Sequence, residues 1–174
     1  MNETNTYNKL KGKPQNNFPE YIIIHNSGGT DKYPLMDTSN HTAKDMEAWH
    51  LSKGWDGLGY HYVIHKDGEV WKGRPETYNG AHCVGYNDKS IGICLSGNFD
   101  ATNPTEAQEK SLVLLIRDIQ TRYPNIKFAY HRDFAKKTCP GNNITDDWLT
   151  LLLVKGEEMV SVPKSLLLEL KKYI

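Results

Sequence analysis

The stretch EYIIIHNSGGT, residues 20–30, decides how the chain is read. An uninterrupted apolar run, Tyr21 to Ile24, reaches His25 and stops at Asn-Ser-Gly-Gly. A short apolar run closed by glycines is the pattern of a buried strand running out into a turn. Its last residue, His25, then stands at a strand end, where polar side chains of an α/β sheet gather into sites.

The segments that follow alternate in kind. In HTAKDMEAWHLSKGW (41–55) Thr42 can cap a helix, with Asp45 at the third position. Ala43, Met46 and Trp49 fall at helical spacing, so a helix is expected over about 43–53. LGYHYVIHKDGEVWKGR (58–74) reads as a hairpin turning at Asp67-Gly68. Strand alternation puts Tyr60, Tyr62 and Ile64 on one face and His61, Val63 and His65 on the other. KSIGICLSG (89–97) is another apolar strand. In NPTEAQEKSLVLLIRDIQTRYP (103–124) Thr105 and Gln108 form a capping box, and Leu112, Leu115, Ile116 and Ile119 form an apolar stripe. NIKFAYH (125–131) is a last strand, and Thr145 opens a helix through Trp148, Leu149 and Leu152 that is expected to stop near Gly156. The order predicts an α/β fold: one domain with a central mixed sheet flanked by helices. Residues 1–19 read as an irregular, extended N-terminal extension packed on the domain, 20–156 as the domain, and 157–174 as a C-terminal helix or linker. Pro163 can open that helix, with Leu166, Leu167, Leu170 and Ile174 on its apolar side, as packing or as a surface for assembly.

The 174 residues suit one domain, and 21 basic residues balance 21 acidic ones. Bulk charge therefore gives no reason to expect a nucleic-acid or acidic-membrane partner. The longest apolar run, LTLLLV (149–154), is far too short to span a bilayer, so no membrane insertion is expected. The polar N-terminus has no apolar core of a secretory signal, which predicts a protein that stays in the cytoplasm after synthesis. Three cysteines, Cys83, Cys94 and Cys139, argue against a disulfide framework, and seven histidines make a metal worth seeking. Cys94 reads as a core thiol.

The last strand leads into AYHRDFAKKTCPG (129–141). His131 ends a strand, as His25 does, and Cys139 follows by a loop. Three such nitrogen and sulfur donors suit zinc in a site with one position left open. The same residues in isolation are also common by chance, and the dense cysteine pairs of structural zinc motifs and the His-Glu-x-x-His pattern are absent. If Lys137-Thr138-Cys139 is extended, Lys137 faces the same side as Cys139 and Lys136 points away. Surface charge is the plain alternative for both lysines.

Four blocks in order carry a resemblance: IIIHNS (22–27), WHLSKGWDGLGYHYVIHKDGEVWKGR (49–74), GAHCVGYNDKSIGICLSGN (80–98) and HRDFAKKTCPG (131–141). The chain resembles the zinc-dependent N-acetylmuramoyl-L-alanine amidases of the T7 lysozyme and peptidoglycan recognition protein type, over roughly residues 20–150. The resemblance implies one Zn2+ held by His25, His131 and Cys139, with Tyr60 and Lys137 catalytic. It implies substrate contacts from His82 and Asn87. It implies an enzyme that cleaves the muramic acid–alanine amide of peptidoglycan, in a phage endolysin or its catalytic domain. An enzyme of that kind is made in the cytoplasm and reaches the cell wall after release. Some members of the type bind peptidoglycan without cleaving it, and loss of the cysteine ligand marks that state. Cys139 is present, so a non-catalytic binding module is the alternative.

Overall fold

The structure, a computed structural model, describes residues 1–13, 16–29 and 32–160. Two compact units divide the chain, Met1–Ile144 and Thr145–Ile174. The first holds a six-stranded sheet. Its strands are β1 (Asn2–Glu3), β2 (Tyr21–Asn26), β3 (Tyr62–Ile64), β4 (Val70–Lys72), β5 (Ser90–Leu95) and β6 (Lys127–Tyr130), in the order β1-β4-β3-β5-β2-β6. Only β3 and β4 pair antiparallel and the other pairings are parallel, so the sheet is mixed, as the element order predicts.

β2 and β5 are central and apolar, and nearly all of their residues are buried. Their parallel register sets Tyr21 beside Ser90, Ile23 beside Gly92 and His25 beside Cys94, so these six residues share one face. α2 (Ala43–Ser52) packs on that face: Ala43 and Met46 join Leu58, Val63 and Cys94 in one cluster. α3 (Glu106–Arg122) buries the expected stripe of Leu112, Leu115, Ile116 and Ile119, and its Gln108 amide donates to the Ile64 and Ser96 carbonyls. The Thr42–Asp45 and Thr105–Gln108 capping boxes both form. Each satisfies backbone donors that the first helical turn leaves without partners.

Three expectations meet a different structure. The N-terminal residues are not simply extended: Asn2 and Glu3 add an edge strand, and α1 (Asn5–Leu10) follows. The buried carboxylate of Glu47 on α2 holds α1, accepting from the Asn5 and Thr6 amides and the Thr6 hydroxyl. Nothing in the N-terminal pattern announces that remote acceptor. In the second unit, α4 (Trp148–Val160) runs through Gly156. A glycine costs a helix about 1 kcal/mol but does not end it where good helix formers follow, here Glu157, Glu158 and Met159. The helix expected from Pro163 lies outside the described residues. Finally, the regular strand begins at Tyr62, so Tyr60 precedes it and escapes its alternation. Its ring joins the Val63–Cys94 cluster, on the face opposite to the one alternation assigns.

Candidate metal centre and active site

The site grows from the ends of β2 and β6. His25 is 1% exposed, fixed by the sheet ladder against Cys94. β6 ends at Tyr130, and a 3-10 turn (His131–Asp133) begins at the next residue. That turn is locked by the Asp133 carboxylate accepting from the Tyr130 amide at 2.7 Å. The chain then bends back, with the Arg132 amide donating to the Cys139 carbonyl at 2.8 Å. Strand end and returning loop thus bring together residues far apart in sequence. One donor atom from each of His25, His131 and Cys139 lies within 4.8 Å of the other two. His25 Nδ1 stands 3.8 Å from the sulfur of Cys139.

The electrostatics of this cluster fit a cation. Burial drives His25 well below the ordinary imidazole range, and the neighbouring His131 and Lys137 push the same way. Burial and then Lys137 lower His131. Both imidazoles are therefore neutral, with lone pairs free for a metal. Burial pushes the Cys139 thiol up to about 12, against an opposing hydrogen bond from the Asn26 amide and the charge of Lys137. A thiolate there needs more positive charge than the protein itself supplies. Two neutral imidazoles and a thiol converging on one point form the donor set that zinc prefers.

Tyr60 sits beside the cluster, its ring centroid 5.2 Å from that of His25. Burial, then Cys94 and Cys139, raise its hydroxyl well above the ordinary phenol range, so it is a donor and not a base. The Lys137-Thr138-Cys139 segment bends rather than extends, so two-residue alternation does not apply to it. Lys137 is exposed, yet its charge reaches His25, His131 and Cys139. Lys136 is exposed as well.

His82 and Asn87 lie on the loop beside His25. His82 Nδ1 lies 3.0 Å from His25 Nε2, behind that ring. The Asn87 carboxamide oxygen accepts from the His82 and Cys83 amides at 2.8 and 2.9 Å, so it shapes the loop that carries His82. A sequence signal that could have pointed to the His82 ring is Gly92, a glycine inside an apolar strand, which marks a close approach. A Cβ at Gly92 would meet the His82 ring at 2.6 Å.

The remaining histidines of the hairpin and α2 serve the fold. His61 is buried: its Nδ1 accepts from the Gly92 amide at 2.9 Å, and its Nε2 lies 3.0 Å from the Tyr78 carbonyl. His65 Nε2 accepts from the Ala43 amide at the start of α2, at 2.8 Å. His50 accepts from Gly59 and stacks on Trp55, centroids 4.4 Å apart. Cys94 is fully buried, as expected of a core thiol, and all three cysteines are free.

Known proteins resemble the chain in sequence and in fold. The chain is 35% identical over 146 residues to an endolysin of Enterobacteria phage T3, covering 80% of this chain and 91% of that one. It is 37% identical over 117 residues to an endolysin of Escherichia phage T7, covering 64% and 77%. The solved structure of the N-acetylmuramoyl-L-alanine amidase LysC from Clostridium intestinale URNW superposes with a TM-score of 0.68 at 33% identity. That match covers 82% of this chain and 89% of LysC. The family model of the N-acetylmuramoyl-L-alanine amidases, Amidase_2, matches residues 15–142, and the chain belongs to that family.

Proposed function

We propose that the chain is a zinc-dependent amidase of bacterial peptidoglycan. It hydrolyses the amide between the lactyl group of N-acetylmuramic acid and L-alanine. The observation that carries the reading is the convergence of His25, His131 and Cys139 beside Tyr60, in a chain of this family. The three would hold one Zn2+, which supplies Lewis acidity and lowers the pKa of a water molecule to about 7 in favourable sites.

The chain's own residues then have separable tasks. Lys137 places an ammonium next to the cluster, where it stabilises negative charge developing on the amide oxygen. A thiolate at Cys139 cancels part of the metal's charge, which makes that ammonium more important. Tyr60 keeps its proton, so its hydroxyl orients the attacking water or donates to the same oxygen. The departing alanine nitrogen must gain a proton, and Lys137 and Tyr60 are the two groups positioned to be tested as its source.

Its place of action is the bacterial cell wall. Among the described residues no helix is long and apolar enough to cross a membrane. Mass spectrometry of digested walls tests the reading. The expected products are intact stem peptides with a free N-terminal alanine, and glycan strands with bare lactyl carboxylates. Cuts within the stem would make the chain a peptidase, and co-sedimentation with walls without products would make it a binding module.

A further inference from the structure

His82 stands behind the metal-binding cluster rather than in it, and its hydrogen bonds can be given a direction. The Ser90 hydroxyl lies 2.5 Å from the Tyr86 carbonyl oxygen. A carbonyl only accepts, so Ser90 spends its single proton there. Its oxygen then faces His82 Nε2, at 3.4 Å, as an acceptor. His82 must carry its proton on Nε2, because a bare Nε2 would set two lone pairs against each other. A neutral imidazole has one N–H, which leaves His82 Nδ1 bare. At 3.0 Å from that atom, His25 Nε2 is the donor. His25 Nδ1 is therefore the nitrogen with the free lone pair, and it is the one that faces the Cys139 sulfur at 3.8 Å.

We propose that His82 is a positioning residue: with Ser90 it holds His25 in its Nε2-protonated tautomer, so that the Nδ1 lone pair is aimed at the metal. The inference rests on the zinc reading above. The relay starts at a backbone carbonyl and passes through Ser90 on β5, which is fully buried. The Asn87 carboxamide fixes the backbone of His82. Gly80 and Gly92 leave room for the ring that side chains would fill: a Cβ on Gly92 would lie 2.6 Å from Cγ and one on Gly80 would lie 2.7 Å from Nε2. Glycines, serine and asparagine thus build a slot in which His82 has one orientation. Ligand histidines commonly give their second N–H to such a partner, which fixes tautomer and ring angle.

Two measurements test it. Long-range 1H–15N correlation spectra of the metal-free wild-type protein should show both His25 and His82 as Nε2–H tautomers. An Nδ1–H tautomer at either ring overturns the inference, with no variant that has to fold. Affinity for Zn2+ alone, measured by competition with a chromophoric chelator, should fall by about 10- to 100-fold in His82→Ala. His82→Gln, whose amide oxygen can accept the same proton, should recover most of the loss. A packing defect alone would not be rescued in this way. Unchanged affinity in His82→Ala, or no recovery in His82→Gln, overturns the inference. A wild-type protein that binds no zinc at all would sink the metal reading instead, while the tautomers remain readable.

Discussion

The two walls of the site are built in different ways. On one side His25 is still part of β2, paired with Cys94 across the ladder and 1% exposed. On the other, His131 and Cys139 lie beyond the end of β6, on a partly exposed loop held by local bonds. The Arg132 guanidinium ties that loop to the Gly141 and Ile144 carbonyls, at 3.2 and 2.7 Å. In the proposed centre the sheet wall would supply an imidazole lone pair, and the loop wall would supply the thiol and the charge of Lys137. A site so divided keeps its geometry in the strand and its chemistry at the surface, where substrate arrives.

The largest effects should come from removing a ligand on either wall. His25→Ala and Cys139→Ala should each lose zinc and reduce wall clearing to background, as read by metal analysis and turbidity. Retention of activity in either would break the idea that both walls meet at one centre. Next comes the charge on the loop wall. Lys137→Ala should keep zinc and lose about 10²- to 10³-fold in kcat, the usual cost of removing one group that stabilises an oxyanion. Lys136→Ala should stay near wild type in turnover and within about 0.5 kcal/mol in stability. Equal losses in the two lysine variants would show that position along the loop does not matter.

The sheet and the helix packed on it should reveal themselves in acid. Burial lowers His61 to about 4, and its Nδ1 accepts a backbone proton that an imidazolium could not take. Burial likewise holds His50 at about 4. The unfolded chain takes up these protons first, near pH 6.5, so their stabilising effect is complete above that pH. It is lost as pH falls toward 4. For His61 the loss is on the order of 3 kcal/mol. Urea titrations of the metal-free protein between pH 7 and 4 should show the decline, with a shallower slope in His61→Gln. An identical slope in that variant would remove His61 from the account. Smaller still is Gly92→Ala, which pushes a methyl group into the His82 ring and should cost about 1–3 kcal/mol.

The same division explains what could be read from the sequence. The strands that lead to His25 and His131, both capping boxes and the apolar stripe of α3 follow from local patterns, and the structure has them, with His131 one residue beyond its strand. Tyr60 defeats strand alternation because it precedes the paired residues, so a period of two has no hold on it. The bend from His131 to Cys139 depends on bonds such as Arg132 to Cys139, which no periodicity encodes. The contact between His82 and His25 spans 57 residues, and the glycines at 80 and 92 are its local traces. Docking of α1 rests on a buried glutamate 41 residues from Thr6.

The central claim is that the two walls act through a shared zinc ion. Dialysis against a chelator, followed by metal analysis and a cell-wall clearing assay, tests it most directly. The metal-free protein should leave walls intact, and stoichiometric Zn2+ should restore clearing. Full clearing by a sample verified to be free of metal would contradict the account.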